Sequence, residues 1–257
     1  FSFNMKIILS PTKTMSNSNS NIDKTLSSTP VFLKEAIKIN SLLKSFSKLE
    51  IQKIMKLSES LSNQTYDYIH LWNLPDSLKS HSVHTYQGTA FKSLSPEDWD
   101  SESINFAQEN LLILSGLYGV LKPYDVIDKY RLEMNQKFIV INDFKNLHKF
   151  WEDKITNYFN QFNKNETIIN LASKEYFDVI NFDKIRSQII NCTFYERSND
   201  KLKIIGNYAK SARGKMAKFI IENQLDNIKD LKNFNEMNYM FSNDISNQTN
   251  FVFINNN

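Results

Sequence analysis

Cysteine, glycine, proline and histidine are all scarce in this chain of 257 residues. There is one cysteine, five glycines, five prolines and four histidines. A lone Cys192 rules out an intramolecular disulfide framework and fits a reducing compartment. Few prolines and glycines leave no linker between domains. No long apolar run is present, which excludes a membrane-spanning helix. Arginine is also rare: four of the 31 basic residues are Arg and the rest Lys. Positions where Arg is nonetheless used are therefore informative, because its planar fork can hold a phosphate or carboxylate by two bonds.

What is present points to one compact α/β domain. Hydrophobic residues make up 41% of the chain, enough for a substantial core, and the formal net charge is +3. A pI of about 8.7 is only mildly basic and identifies no partner by itself. Phe1 to Asn4 lack the basic and apolar segments of a secretory signal and read as an expression scar ahead of Met5. "MKIILS" reads as a buried strand, followed by a polar loop, "NSNSN". Helical spacing covers Val31 to Trp72 in two or three helices. Ser95-Pro96-Glu97-Asp98 reads as a helix start with Ser95 as N-cap, the helix running to about Asn110. "LLILS" and "TIINLA" are buried strands, and a long amphipathic helix lies between them. Gln188 to Arg197 and Lys201 to Tyr208 alternate as an antiparallel hairpin. A helix follows, and the tail closes as a second hairpin.

Polar clusters follow the strands, where ligands gather in α/β sheets. Ser10 to Thr14 (with Lys13) follows the first strand, Ser115 to Tyr118 the second, and Ser173-Lys174-Glu175-Tyr176 the third. Lys210, Arg213 and Lys215 would add positive charge. In "SGLYGVLKP", Gly116 and Gly119 stand three residues apart in a chain that has few glycines. Such a turn can aim backbone N–H groups at a ligand, with Lys122 just beyond, or can pack beneath the cleft. Arg131 in "YRLEM" either grips an anion or pairs with an internal carboxylate such as Glu133. None of the serines sits in G-x-S-x-G, and neither a Walker A loop nor a dinucleotide fingerprint is present, so no cofactor is implied. His81 and His84 form the only close histidine pair and read as a solvated loop, so no metal site is expected.

Five blocks, "ILSPTKTM", "LSGLYGVLKPYD", "YRLEM", "INLASKEYF" and "YAKSARGKMAKFIIEN", together resemble the YaaA family of bacterial peroxide-stress proteins, from Met5 to about Phe253. The resemblance implies one cytoplasmic α/β domain over 5–257, with a mixed central sheet, surrounding helices and a helix-hairpin-helix-like element at about 48–72. It also implies a role when hydrogen peroxide threatens DNA, and binding of double-stranded or structured DNA through a basic cleft, by a chain expected to be a monomer. "IMKLSESLS" resembles the hairpin pattern h-P-G-h-G-x-x-x-A, but Lys56 and Ser58 replace its glycines. Lys53, Lys56 and Ser58 would contact phosphate there. Ser10, Lys13, Thr14, Lys122, Arg131, Lys174, Lys210, Arg213 and Lys215 would do so in the cleft. An alternative is an enzyme acting on a nucleobase or nucleotide, with Glu133 or Glu175 as acid/base and Tyr86, Tyr118 or Tyr176 stacking the base or donating a proton; Glu133, Glu175 and Tyr176 are the catalytic candidates. Structural ion pairing among the same charges is the competing reading.

Overall fold

Residues 5–16, 24–137, 140–141, 144–199 and 201–256 are described by a computed structural model. The expected scar at 1–4 and the "NSNSN" loop lie outside them. In chain order the elements are β1 (Met5–Leu9), α1 (Leu33–Leu43), α2 (Lys48–Met55), α3 (Glu59–Leu71), β2 (Lys79–His81), α4 (Ser82–Thr85), α5 (Thr89–Leu94), α6 (Ser101–Asn110), β3 (Leu111–Ser115), β4 (Gly119–Leu121) and β5 (Val126–Asp128). They continue with α7 (Leu147–Phe159), β6 (Thr167–Leu171), α8 (Lys174–Phe177), β7 (Gln188–Ser198), β8 (Lys201–Lys203), α9 (Gly206–Glu222), β9 (Tyr239–Phe241) and β10 (Asn250–Asn255).

Among the described residues, eight strands form one mixed sheet in the order β4-β3-β1-β6-β7-β10-β9, with β8 paired to β7; β2 and β5 make a separate ribbon. Neighbours among β3, β1, β6, β7 and β10 run parallel, while β4, β8 and β9 pair antiparallel. The apolar runs of β3 and β6 are buried at every position, as strands covered on both faces must be. Lys6 is the polar exception in β1, and its ammonium reaches Asn110 Oδ1 at 3.1 Å and Glu166 at 3.4 Å. In α7, Leu147, Phe150, Trp151, Ile155 and Phe159 recur at helical spacing and are all buried. Each contributes about 1.5–3 kcal/mol of apolar burial. The Asn146 side chain caps this helix by accepting from Lys149 N–H at 2.9 Å.

Three local expectations need correction. Ser95 is not an N-cap: it is left-handed, with φ 48°, and opens only a single 3₁₀ turn, Pro96–Asp98. The helix cap is Asp100, which accepts from Ser103 N–H at 2.8 Å. The hairpin arm after "SND" stops at Lys203, and α9 begins at Gly206, so Ile204 and Ile205 are exposed connector residues. His81 is buried in β2, with Nε2 3.0 Å from Ser27 Oγ, and does not lie in a solvated loop.

Candidate functional site

Within the parallel part of the sheet, the chain leaves β1 for β3 on one side and later crosses to β6 on the other. The carboxyl ends of β1 and β6 therefore form the switch point where α/β sheets open a crevice. Ser10 follows β1 directly, and Ser173 follows β6 after Ala172. Ser10 Oγ accepts from Ser173 N–H at 2.7 Å and donates to Ser173 Oγ at 3.1 Å, fastening the two strand ends.

A cavity of about 370 Å³ opens over this junction. Leu9 and Leu171 floor it, and the segment Ser10 to Met15 forms one wall. The stretch Tyr130 to Glu133 after β5, with Glu175 and Tyr176 of α8, forms another. Gly88 to Ala90 at the start of α5, with Lys210 and Arg213 of α9, closes the rest. Two glycines set these walls. A Cβ on Gly88 would lie 2.4 Å from Thr12 Cγ2, and a Cβ on Gly214 would lie 2.0 Å from the Ala90 carbonyl oxygen. The absence of a side chain at Gly214 lets α9 ride directly on the α5 backbone, and Ser93 and Ser211 join the two helices by a 2.6 Å hydroxyl contact. Arg213, one residue away, is thereby carried to the cavity.

The cavity holds four cationic side chains, Lys13, Arg131, Lys210 and Arg213, and two carboxylates, Glu133 and Glu175. Lys13 Nζ pairs with Glu133 Oε1 at 2.6 Å, but the Lys13 side chain is 61% exposed, so the pair adds little stability. Among the described residues, four solvent-shielded side-chain atoms have no hydrogen-bond partner in the protein: Arg131 Nε, Arg213 Nε, Glu175 Oε1 and Trp99 Nε1. The first three belong to residues lining this one cavity. A shielded polar atom without a partner costs about 1–3 kcal/mol, more when charged, so the fold bears a local cost around this cavity. Burial lowers the pKa of Arg213. Burial, reinforced by the neighbouring Glu133 carboxylate, raises that of Glu175 against the opposing Asn135 N–H and Lys13.

Beneath the cavity runs a buried hydroxyl chain. Tyr130 Oη lies 2.7 Å from Tyr86 Oη and 2.6 Å from Ser115 Oγ, and Ser115 Oγ accepts from Tyr118 N–H at 2.9 Å. Burial pushes the Tyr130 phenol up to about 12, so it stays protonated and serves as a fixed polar link. Tyr86 and Tyr118 are each 1% exposed, which removes them as stacking surfaces; Tyr176 does reach the cavity wall. Cys192 is buried, and its thiol is pushed up to about 12, so it is not poised as a thiolate for reaction with peroxide.

Of the residues singled out in the sequence, Ser10, Lys13, Thr14, Arg131, Glu133, Glu175, Tyr176, Lys210 and Arg213 line the cavity together. Others do not. Lys174 points to solvent and pairs with Asp178 at 2.7 Å, and Lys215 sits 3.7 Å from Glu236. Lys122 follows β4, away from the lining, and its N–H donates to Asp125 Oδ2 at 2.8 Å. Gly116 and Gly119 are packing positions. A Cβ at Gly116 would lie 2.5 Å from the Leu132 carbonyl oxygen, and one at Gly119 would lie 2.5 Å from the Trp151 ring. Lys53, Lys56 and Ser58 form the corner between α2 and α3. Lys56 is left-handed there, with φ 53°, and the Ser58 hydroxyl caps α3 by accepting from Leu61 N–H at 3.3 Å. Sequence reasoning missed Gly88 to Ala90 and Tyr130. Glycine scarcity, applied to "QGTA" and "ARGK" as it was to "GLYG", would have flagged both packing glycines of the cavity.

No helix among the described residues is long and apolar enough to cross a membrane, and none of their His, Cys, Asp or Glu side chains form a group of three or more able to hold a metal ion. A "UPF0246 protein" of Legionella pneumophila (strain Lens) is 38% identical over 256 residues, covering 97% of this chain and 99% of its own length. Another from Crocosphaera subtropica is 39% identical over 228 residues, covering 88% and 90%. One from Francisella tularensis subsp. novicida is 35% identical over 255 residues, covering 97% and 99%. The family model described as "Peroxide stress protein YaaA" matches residues 5–245, and with these relatives it shows that the chain belongs to the YaaA family of peroxide stress proteins.

Proposed function

We propose that this protein acts in peroxide stress by binding DNA, and so limits oxidative damage to it. The cleft between β1 and β6 takes a backbone phosphate, and the corner between α2 and α3 holds a flanking one through Lys53, Lys56 and the N–H groups beside Ser58. The observation that carries this reading is the gathering of Lys13, Arg131, Lys210 and Arg213 around one cavity at the joined ends of β1 and β6. Phosphate oxygens are the acceptors a guanidinium fits best. Such contacts position nucleic acid without reading its sequence.

The test is the affinity of a short labelled duplex, measured across a salt series. Arg131→Ala and Arg213→Ala should each weaken binding equally for unrelated sequences and reduce the slope of log K against log salt by about one. A salt-independent affinity, or one indifferent to both substitutions, overturns the reading.

Glu175 favours a second reading, in which the same cleft converts a nucleobase or nucleotide. Its raised pKa and unpartnered oxygen beside Glu133 suit acid/base work, which phosphate gripping alone does not need. Chemical conversion of a nucleotide by the wild type, lost in Glu175→Gln with binding retained, would support it. Identical behaviour of the two proteins would exclude it.

A further inference from the structure

We propose that the cleft accommodates one whole nucleoside 5′-phosphate, with Arg131 and Arg213 on the phosphate and the Glu175 carboxylate accepting an N–H from the base. This inference rests on the reading that the cleft takes phosphate, and it adds the part of the ligand at the other end. The lining groups have opposite demands. Arg131 and Arg213 bring guanidinium donors to the cavity, and Glu175 brings a carboxylate acceptor. A fully ionised inorganic phosphate meets the first demand and offers Glu175 no donor, whereas a base can supply an N–H at the far end of the cavity.

Size and lining point the same way. A cavity of about 370 Å³ lies within the range of roughly 300–1,000 Å³ that holds small organic ligands, and it is far too narrow for a double helix. Between the polar ends, Leu9, Leu132, Leu171 and Tyr176 supply apolar surface against which a flat base can lie. In DNA, the occupant must be a terminal or unstacked nucleotide, because a paired base cannot reach so enclosed a site.

Calorimetric titration of the full chain with 2′-deoxyadenosine 5′-monophosphate, 2-deoxyribose 5-phosphate and deoxyadenosine tests this directly. The nucleotide should bind at least about tenfold more tightly than either half, the size expected for one hydrogen bond to a charged group. Glu175→Ala should bring the nucleotide down to the affinity of the sugar phosphate while leaving the sugar phosphate unchanged, which also reports that the variant is folded. Arg213→Ala should weaken both. Equal binding of nucleotide and sugar phosphate to the wild type, or an unchanged ratio in Glu175→Ala, overturns this inference and leaves the phosphate reading standing. No binding by any phosphate-bearing probe overturns both. A single-stranded oligonucleotide ending in an adenylate that displaces the nucleotide assigns DNA as the source, and failure to displace it assigns the free nucleotide.

Discussion

Replacing Gly119 by alanine should be one of the most damaging single-methyl changes in this chain. Gly119 has φ +70°, and moving an L-residue into the left-handed region costs about 1–2 kcal/mol. The new methyl would also sit 2.5 Å from Trp151 Cζ3. That ring is fully buried, and its Nε1 donates to the Gly116 carbonyl at 2.9 Å, so it cannot slide away without losing the bond. Overpacking of this kind typically costs about 1–3 kcal/mol. Together these give a loss of about 2–5 kcal/mol, read as a lower urea midpoint at unchanged m-value. Gly206→Ala is the control. It opens α9, nothing lies within 4 Å of the added Cβ, and stability should hold or rise by up to about 1 kcal/mol. A loss below about 1 kcal/mol for Gly119→Ala would refute the assignment of this glycine to packing.

Gly214→Ala should push α9 off the Ala90 carbonyl and displace Lys210 and Arg213. An expected loss of about 1–3 kcal/mol in urea denaturation should come with weaker phosphate binding, and unchanged binding would show that α9 does not set the cleft. Glu175→Gln should raise the melting temperature at neutral pH. The native pKa of this carboxyl lies above its ordinary 4.5, so its contribution to stability is fully present below 4.5 and lost as pH rises through the raised value. The advantage of the variant should therefore vanish in melts below pH 4.5, and a pH-independent difference would contradict the assigned burial and repulsion by Glu133.

Much of the cleft was legible because its parts obey a local rule. β1, β3 and β6 announce themselves as short apolar runs, and each is followed by polar residues where a parallel sheet presents its carboxyl ends. Which strands lie side by side depends on long-range pairing, and no local pattern placed Ser10 against Ser173 or brought Arg213 beside both. Lys122, Lys174 and Lys215 show the limit of reading by proximity. Lys174 and Lys215 lie close in sequence to cleft residues, yet helix geometry turns them elsewhere, and Lys122 follows a turn that packs outside the cavity lining. Ser95 failed for a similar reason, since the Ser-Pro-acid signature opens a 3₁₀ turn and Asp100 captures the helix start. Ile204 and Ile205 continue the strand alternation of their neighbours, but they stand exposed because α9 begins one residue later, at Gly206.

The most direct test of the central claim is a crystal structure of the full chain grown with 2′-deoxyadenosine 5′-monophosphate. Phosphate oxygens within hydrogen-bond distance of the guanidinium groups of both Arg131 and Arg213 are predicted, above the joined ends of β1 and β6. A nucleotide held only at the corner of α2 and α3, with no phosphate on either guanidinium, would contradict it.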